Sequence, residues 1–71
     1  MAKRKSFTRM RRSATAYLVK LMQREGWSSS LSAADAFSQG VERIGDQYPK
    51  MLNKDVRICV LRAMQKTYKN N

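Results

Sequence analysis

From Phe7 onward the apolar positions are Phe7, Met10, Ala14, Tyr17, Leu18, Leu21 and Met22, spaced by three, four, three, one, three and one residues. That rhythm is the stripe of an amphipathic helix, not the alternation of a strand. Ser6 offers a side-chain oxygen to the first free N–H groups of such a helix. Gly26 followed by Trp27 fits an ending in which the glycine turns left-handed and the tryptophan packs back on Met22. The spacing predicts a first helix over residues 7–25, with Arg9, Arg11, Arg12, Lys20 and Arg24 on its other faces.

Ser28, Ser29 and Ser30 read as a short polar connection. Ser32 with Asp35 three residues later resembles a capping box in which Asp replaces the usual Glu, and Leu31 is placed to staple onto Ala36. Ala36, Phe37, Gly40, Val41, Ile44 and Tyr48 continue a second stripe of period 3.6, and Pro49 disfavours helical backbone at Tyr48. A second helix over residues 33–47 follows, with Gly45 as a competing end point. Gly40 costs about 1 kcal/mol relative to Ala inside a helix, so its place on the apolar stripe implies that a neighbouring helix comes close.

Asn53 is a candidate N-cap for the last segment, with Asp55 in the first turn, where negative charge suits the helix dipole. Val56, Cys59, Val60, Ala63, Met64, Thr67 and Tyr68 share one helical face. Val56, Ile58 and Val60 also alternate as in a strand, but the chain holds no second strand-like run to pair with them. Helix over residues 54–68 is therefore the expectation.

Three amphipathic helices with short connections imply an all-α fold, a compact three-helix domain spanning residues 6–71 behind a flexible basic arm at residues 1–5. The expected core is Met10, Tyr17, Leu18, Leu21, Phe37, Val41, Ile44, Val56, Val60, Ala63 and Met64, with Trp27 closing one end. Ile58 and Leu61 fall beside or off the main stripe of the third helix. They widen its apolar face beyond the needs of a thin bundle and suggest a second chain, such as a homodimer partner, which would help so small a core reach useful stability.

Composition narrows the function. With 71 residues the chain forms one small domain with no room for a core plus an enclosed substrate cavity. It has no histidine, and its single Cys59 completes neither a zinc site nor an internal disulfide. The expectation is a protein that is not an enzyme and carries no cofactor or metal. There is no apolar run of membrane-spanning length and no signal-peptide stretch behind the basic N-terminus, so an intracellular location, cytoplasm or nucleoid, is expected.

The charge is large and uneven. Fifteen Lys and Arg face five Asp and Glu, a formal net charge of +10. Residues 1–25 carry eight basic groups and one acid, residues 26–49 one and three, and residues 50–71 six and one. Concentrating like charge at both ends opposes compaction and points to a polyanionic partner. Lys3, Arg4, Lys5, Arg9, Arg11 and Arg12 form the leading candidate for a phosphate-backbone contact, because Arg presents a permanently charged planar fork and a cluster of such groups releases condensed counterions. Lys20 with Arg24, and Arg62 with Lys66, are like-charged pairs four residues apart, which local helix stability does not favour. Together with Arg57 they are candidates for a second patch, continuous with the first if helices one and three are neighbours.

The expected function is a small basic nucleic-acid-binding protein, for DNA or RNA, gripping phosphates through helices one and three with little base specificity. The alternative is an interaction protein that docks on an acidic surface of a larger enzyme or nucleoprotein complex and inhibits or redirects it. A helix-turn-helix fits poorly, since the basic residues avoid the middle helix and the connection before the third contains Pro49. No aromatic strand motif or KH-type glycine loop is present. Most of the aromatic residues are expected in the core, with Trp27, Tyr48 and Tyr68 at helix ends, where a base could stack. Cys59 reads as a small buried thiol. Asp35, Glu42 and Asp46 make an acidic strip on the second helix, suited to pairing across the bundle or to a basic partner. A membrane-surface role would take from the core the apolar stripe of helix one.

Overall fold

A computed structural model describes the backbone of residues 2–68 and the side chains of residues 9–68. Four helices follow in order: α1 (Ala2–Glu25), the single turn α2 (Trp27–Ser30), α3 (Ala33–Gln47) and α4 (Asn53–Thr67). The protein is all-α, and α1, α3 and α4 are the three helices that the hydrophobic pattern implies. The segment that could have alternated as a strand is helical throughout.

Two boundaries differ from the sequence expectation. Helix α1 begins at Ala2, so Ser6 lies within it instead of capping it, and residues 2–5 of the expected arm belong to α1. Ala, Lys and Arg are among the best helix formers, and adding residues to an existing helix costs far less than nucleating one. The serine run is also helical, a single turn entered from Gly26. That glycine adopts the left-handed φ of 65°, and its N–H reaches the carbonyl of Gln23 at 3.3 Å. This is the predicted end of α1, and Trp27 is buried just beyond it with 2% exposure.

Ser32 caps α3 as its sequence implies, its hydroxyl accepting from the Asp35 N–H at 3.2 Å. Gly45 remains helical, and α3 runs on to Gln47. For α4 the cap position falls on Leu52, whose carbonyl accepts from the N–H groups of Asp55 and Val56, both at 2.9 Å. Asn53 is therefore the first helical residue and makes no capping bond through its side chain.

The arrangement of the helices follows from a few contacts. Arg11 meets Cys59 and Asp55, and Met22 meets Thr67, so α1 and α4 lie side by side and run in the same direction. Helix α3 returns the opposite way. Its Gly40 packs on Val60 and Leu18, and Tyr48 packs edge-on against Tyr17 with ring centroids 6.3 Å apart. The longest dimension of 40 Å is mostly that of α1, whose 24 residues rise about 36 Å.

One apolar cluster joins the helices: Ala14, Leu18, Leu21 and Met22 of α1, Ala36 and Ile44 of α3, Val56, Cys59, Val60 and Ala63 of α4, with Trp27 and Met51. Of the expected core, Met10, Tyr17, Phe37, Val41 and Met64 are partly buried around it. Met51, buried in the loop between α3 and α4, lies outside any helical stripe and so carries no periodic signal in the sequence. The approach implied by Gly40 is real. A Cβ added there would sit 2.7 Å from Val60 Cγ1 and 3.2 Å from Leu18 Cδ2.

Tyr68 fastens the far end of the bundle. Its hydroxyl lies 2.8 Å from the carbonyl oxygen of Trp27 and 3.0 Å from that of Leu31, one proton shared between two acceptors. Burial raises its phenol pKa above the ordinary value, and the negative charge of Asp35 adds to the shift.

Candidate nucleic-acid interface

Because α1 and α4 run parallel and α3 covers only one side of the pair, an open groove remains between them on the other side. Residues 12, 15, 16, 19, 20 and 23 follow the helical period along one wall, and residues 58, 59, 62, 65 and 66 along the other. The floor is apolar, formed by Ala16, Val19 and Ile58, with the small side chains of Thr15 and Cys59 beside them. Arg11, Arg12, Lys20, Arg62 and Lys66 stand around it, and among the described residues no carboxylate lines it. A second hollow beyond the first shares Gln23 and Lys66 and extends this edge to Gly26, Ser28 and Tyr68.

Arg12, Lys20, Arg62 and Lys66 are exposed, and none is in an ion pair among the described residues. Each projects from a helix whose inner face is fixed in the core, so the spacing of the charges along the groove is held by backbone. Lys20 is two turns from Arg12, about 12 Å, and Lys66 one turn from Arg62, about 6 Å.

Arg11 differs. Its guanidinium lies 3.6 Å from the Asp55 carboxylate, so much of its charge is already answered within the molecule. Its carbonyl accepts from the Thr15 hydroxyl at 2.8 Å and the Cys59 thiol at 3.5 Å. Cys59 is thus a buried thiol with a structural partner, as its apolar neighbourhood implies.

The remaining candidates scatter. Arg9, Arg24 and Arg57 are exposed but do not line the groove. Lys3, Arg4 and Lys5 belong to α1, and their side chains lie outside the described residues. The aromatic candidates at helix ends are otherwise engaged: Trp27 is buried with its indole N–H donating to Glu25 at 3.0 Å, Tyr48 packs on Tyr17, and the Tyr68 hydroxyl is bonded. Asp35, Glu42 and Asp46 are exposed on α3, outside the ion pairs Arg11–Asp55 and Arg43–Glu25.

Sequence reasoning missed the apolar floor and the hold of Asp55 on Arg11. Both are contacts between helices far apart in the chain, for which no local signal exists. Among the described residues no group of His, Cys, Asp and Glu side chains is placed to hold a metal ion, and no helix is long and apolar enough to cross a membrane. No protein family, curated protein or solved structure matches the chain.

Proposed function

We propose that this protein is a small nucleic-acid-binding protein that grips the phosphate backbone along the α1–α4 groove, with little base specificity. One observation carries the reading: two parallel helices bring basic residues of two distant segments to the walls of one groove that, among the described residues, no carboxylate lines. Such an arrangement concentrates positive potential where a polyanion can lie, and each neutralised phosphate releases counterions. The walls offer Arg and Lys, suited to phosphate, and phosphate contacts position a protein on a nucleic acid without reading its bases.

Fluorescence anisotropy with duplex DNA, duplex RNA and single strands across roughly 50 to 300 mM salt tests the proposal, because counterion release acts in that range. Binding that persists near 150 mM and falls steeply on a log–log plot is the expected result. Absence of binding to every nucleic acid at 150 mM would reject it and leave the charge for an acidic protein surface.

A further inference from the structure

We infer that the α1–α4 groove takes a double-stranded nucleic acid in preference to a single strand, an inference that rests on the phosphate-binding role proposed for this groove. Proteins that hold single strands without sequence preference combine a basic track with aromatic side chains on which successive bases stack. The track is present here, but the stacking platform is missing among the described residues. The groove floor is Ala16, Val19 and Ile58 with Thr15 and Cys59 beside them, and among the described residues no aromatic side chain lines it.

The described aromatic side chains at the helix ends and junctions have other duties. The single tryptophan, Trp27, is 2% exposed, Tyr17 and Tyr48 pack on one another at the junction with α3, and Tyr68 uses its hydroxyl to tie α4 to the end of α2. Turning any of them to a base would take apart the bundle that positions the groove.

With no stacking platform among the described residues, the electrostatic term decides, and it favours the duplex. A duplex carries one charge per about 1.7 Å of axis against about 3.4 Å for one strand, and each phosphate contact weakens with salt by about 0.9 log unit per decade on duplex DNA against about 0.7 on a single strand. Arg12, Lys20, Arg62 and Lys66 are the groove cations outside any described ion pair. Taking the two affinities as equal at about 1 M, where counterion release contributes nothing, lowering salt to about 0.1 M strengthens four contacts by about 3.6 decades on a duplex and about 2.8 on a single strand, a preference of about sixfold.

The test is direct titration of the full chain with a mixed-sequence DNA duplex and with oligo-dT of equal length at about 0.1 M salt, reading anisotropy of the labelled DNA and emission of Trp27. Tighter binding to the duplex by about sixfold, a steeper salt slope on the duplex, and unchanged tryptophan emission with oligo-dT are expected. Equal or tighter binding of oligo-dT, or quenching of Trp27 by it, would overturn the duplex preference while leaving the nucleic-acid role standing. Binding of neither would overturn that role and this inference with it.

Discussion

Val60 Cγ1 stands 2.7 Å from where a Cβ on Gly40 would lie, so α3 and α4 meet at a distance only glycine permits. Val60 is β-branched and fully buried, and it cannot swing aside as the end of a long side chain could. Gly40→Ala gains about 1 kcal/mol in helix propensity but forces an overpacked contact that costs about 1–3 kcal/mol. A net loss of about 1 kcal/mol is expected, read as a fall in Tm of about 4–8 °C. Gly45, with nothing within 4 Å of its added Cβ, is the control. Gly45→Ala is expected to gain about 0.5–1 kcal/mol, and stabilisation by both variants would disprove the close approach.

The Tyr68 hydroxyl links the end of α4 to the carbonyls of Trp27 and Leu31. Tyr68→Phe removes these bonds and is expected to cost about 0.5–1.5 kcal/mol in urea denaturation. Its phenol pKa is raised in the folded protein, by burial first and by Asp35 second. The folded state therefore holds this proton more tightly than the unfolded state does. The resulting stability is fully present below the unfolded value near 10 and is lost as pH rises through the higher folded value. The stability difference between wild type and Tyr68→Phe should shrink above about pH 10, whereas a constant difference would remove this linkage.

Asp55 holds the guanidinium of Arg11 at the start of α4. Asp55→Asn releases that charge to the groove. Tighter duplex binding and a salt slope steeper by up to about 0.9 are expected, because one more phosphate contact becomes available. The stability loss should stay at about 0.3–1 kcal/mol, the worth of a negative charge in a first helical turn. Unchanged affinity would mean that Arg11 lies outside the binding path.

The basic residues should divide by position and not by charge. Arg12, Lys20, Arg62 and Lys66 each changed to Ala are expected to lower the salt slope by about 0.9 in similar steps. Arg24→Ala and Arg57→Ala, outside the groove lining, should change it less. A single variant costing 2 kcal/mol or more beside near-neutral neighbours would instead be the pattern of a protein docking site.

Much of the helical plan is legible in the sequence because its signals are local. Ser32 caps α3, Gly26 turns the chain after α1, and Pro49 stands just beyond the end of α3, each acting on backbone groups within a few residues. The start of α1 escapes the same reasoning, since Ser6 offers a cap where residues of high helix propensity simply continue the helix. Gly40 lies between these cases. Its place on the apolar stripe reveals a close neighbour, but not that the neighbour is Val60.

The three long helices, the inward face of each and the excess of positive charge at the two ends of the chain are all written in the residue pattern. Packing between helices, in contrast, sets α1 and α4 parallel, places Arg12 and Lys20 across one groove from Arg62 and Lys66, and brings Asp55 to Arg11. Helical periodicity records which side of a helix avoids water but not which helix it packs against. That choice is made by the joint packing of Leu18, Gly40 and Val60 at the centre of the bundle, where a glycine lets α3 approach the other two helices closely.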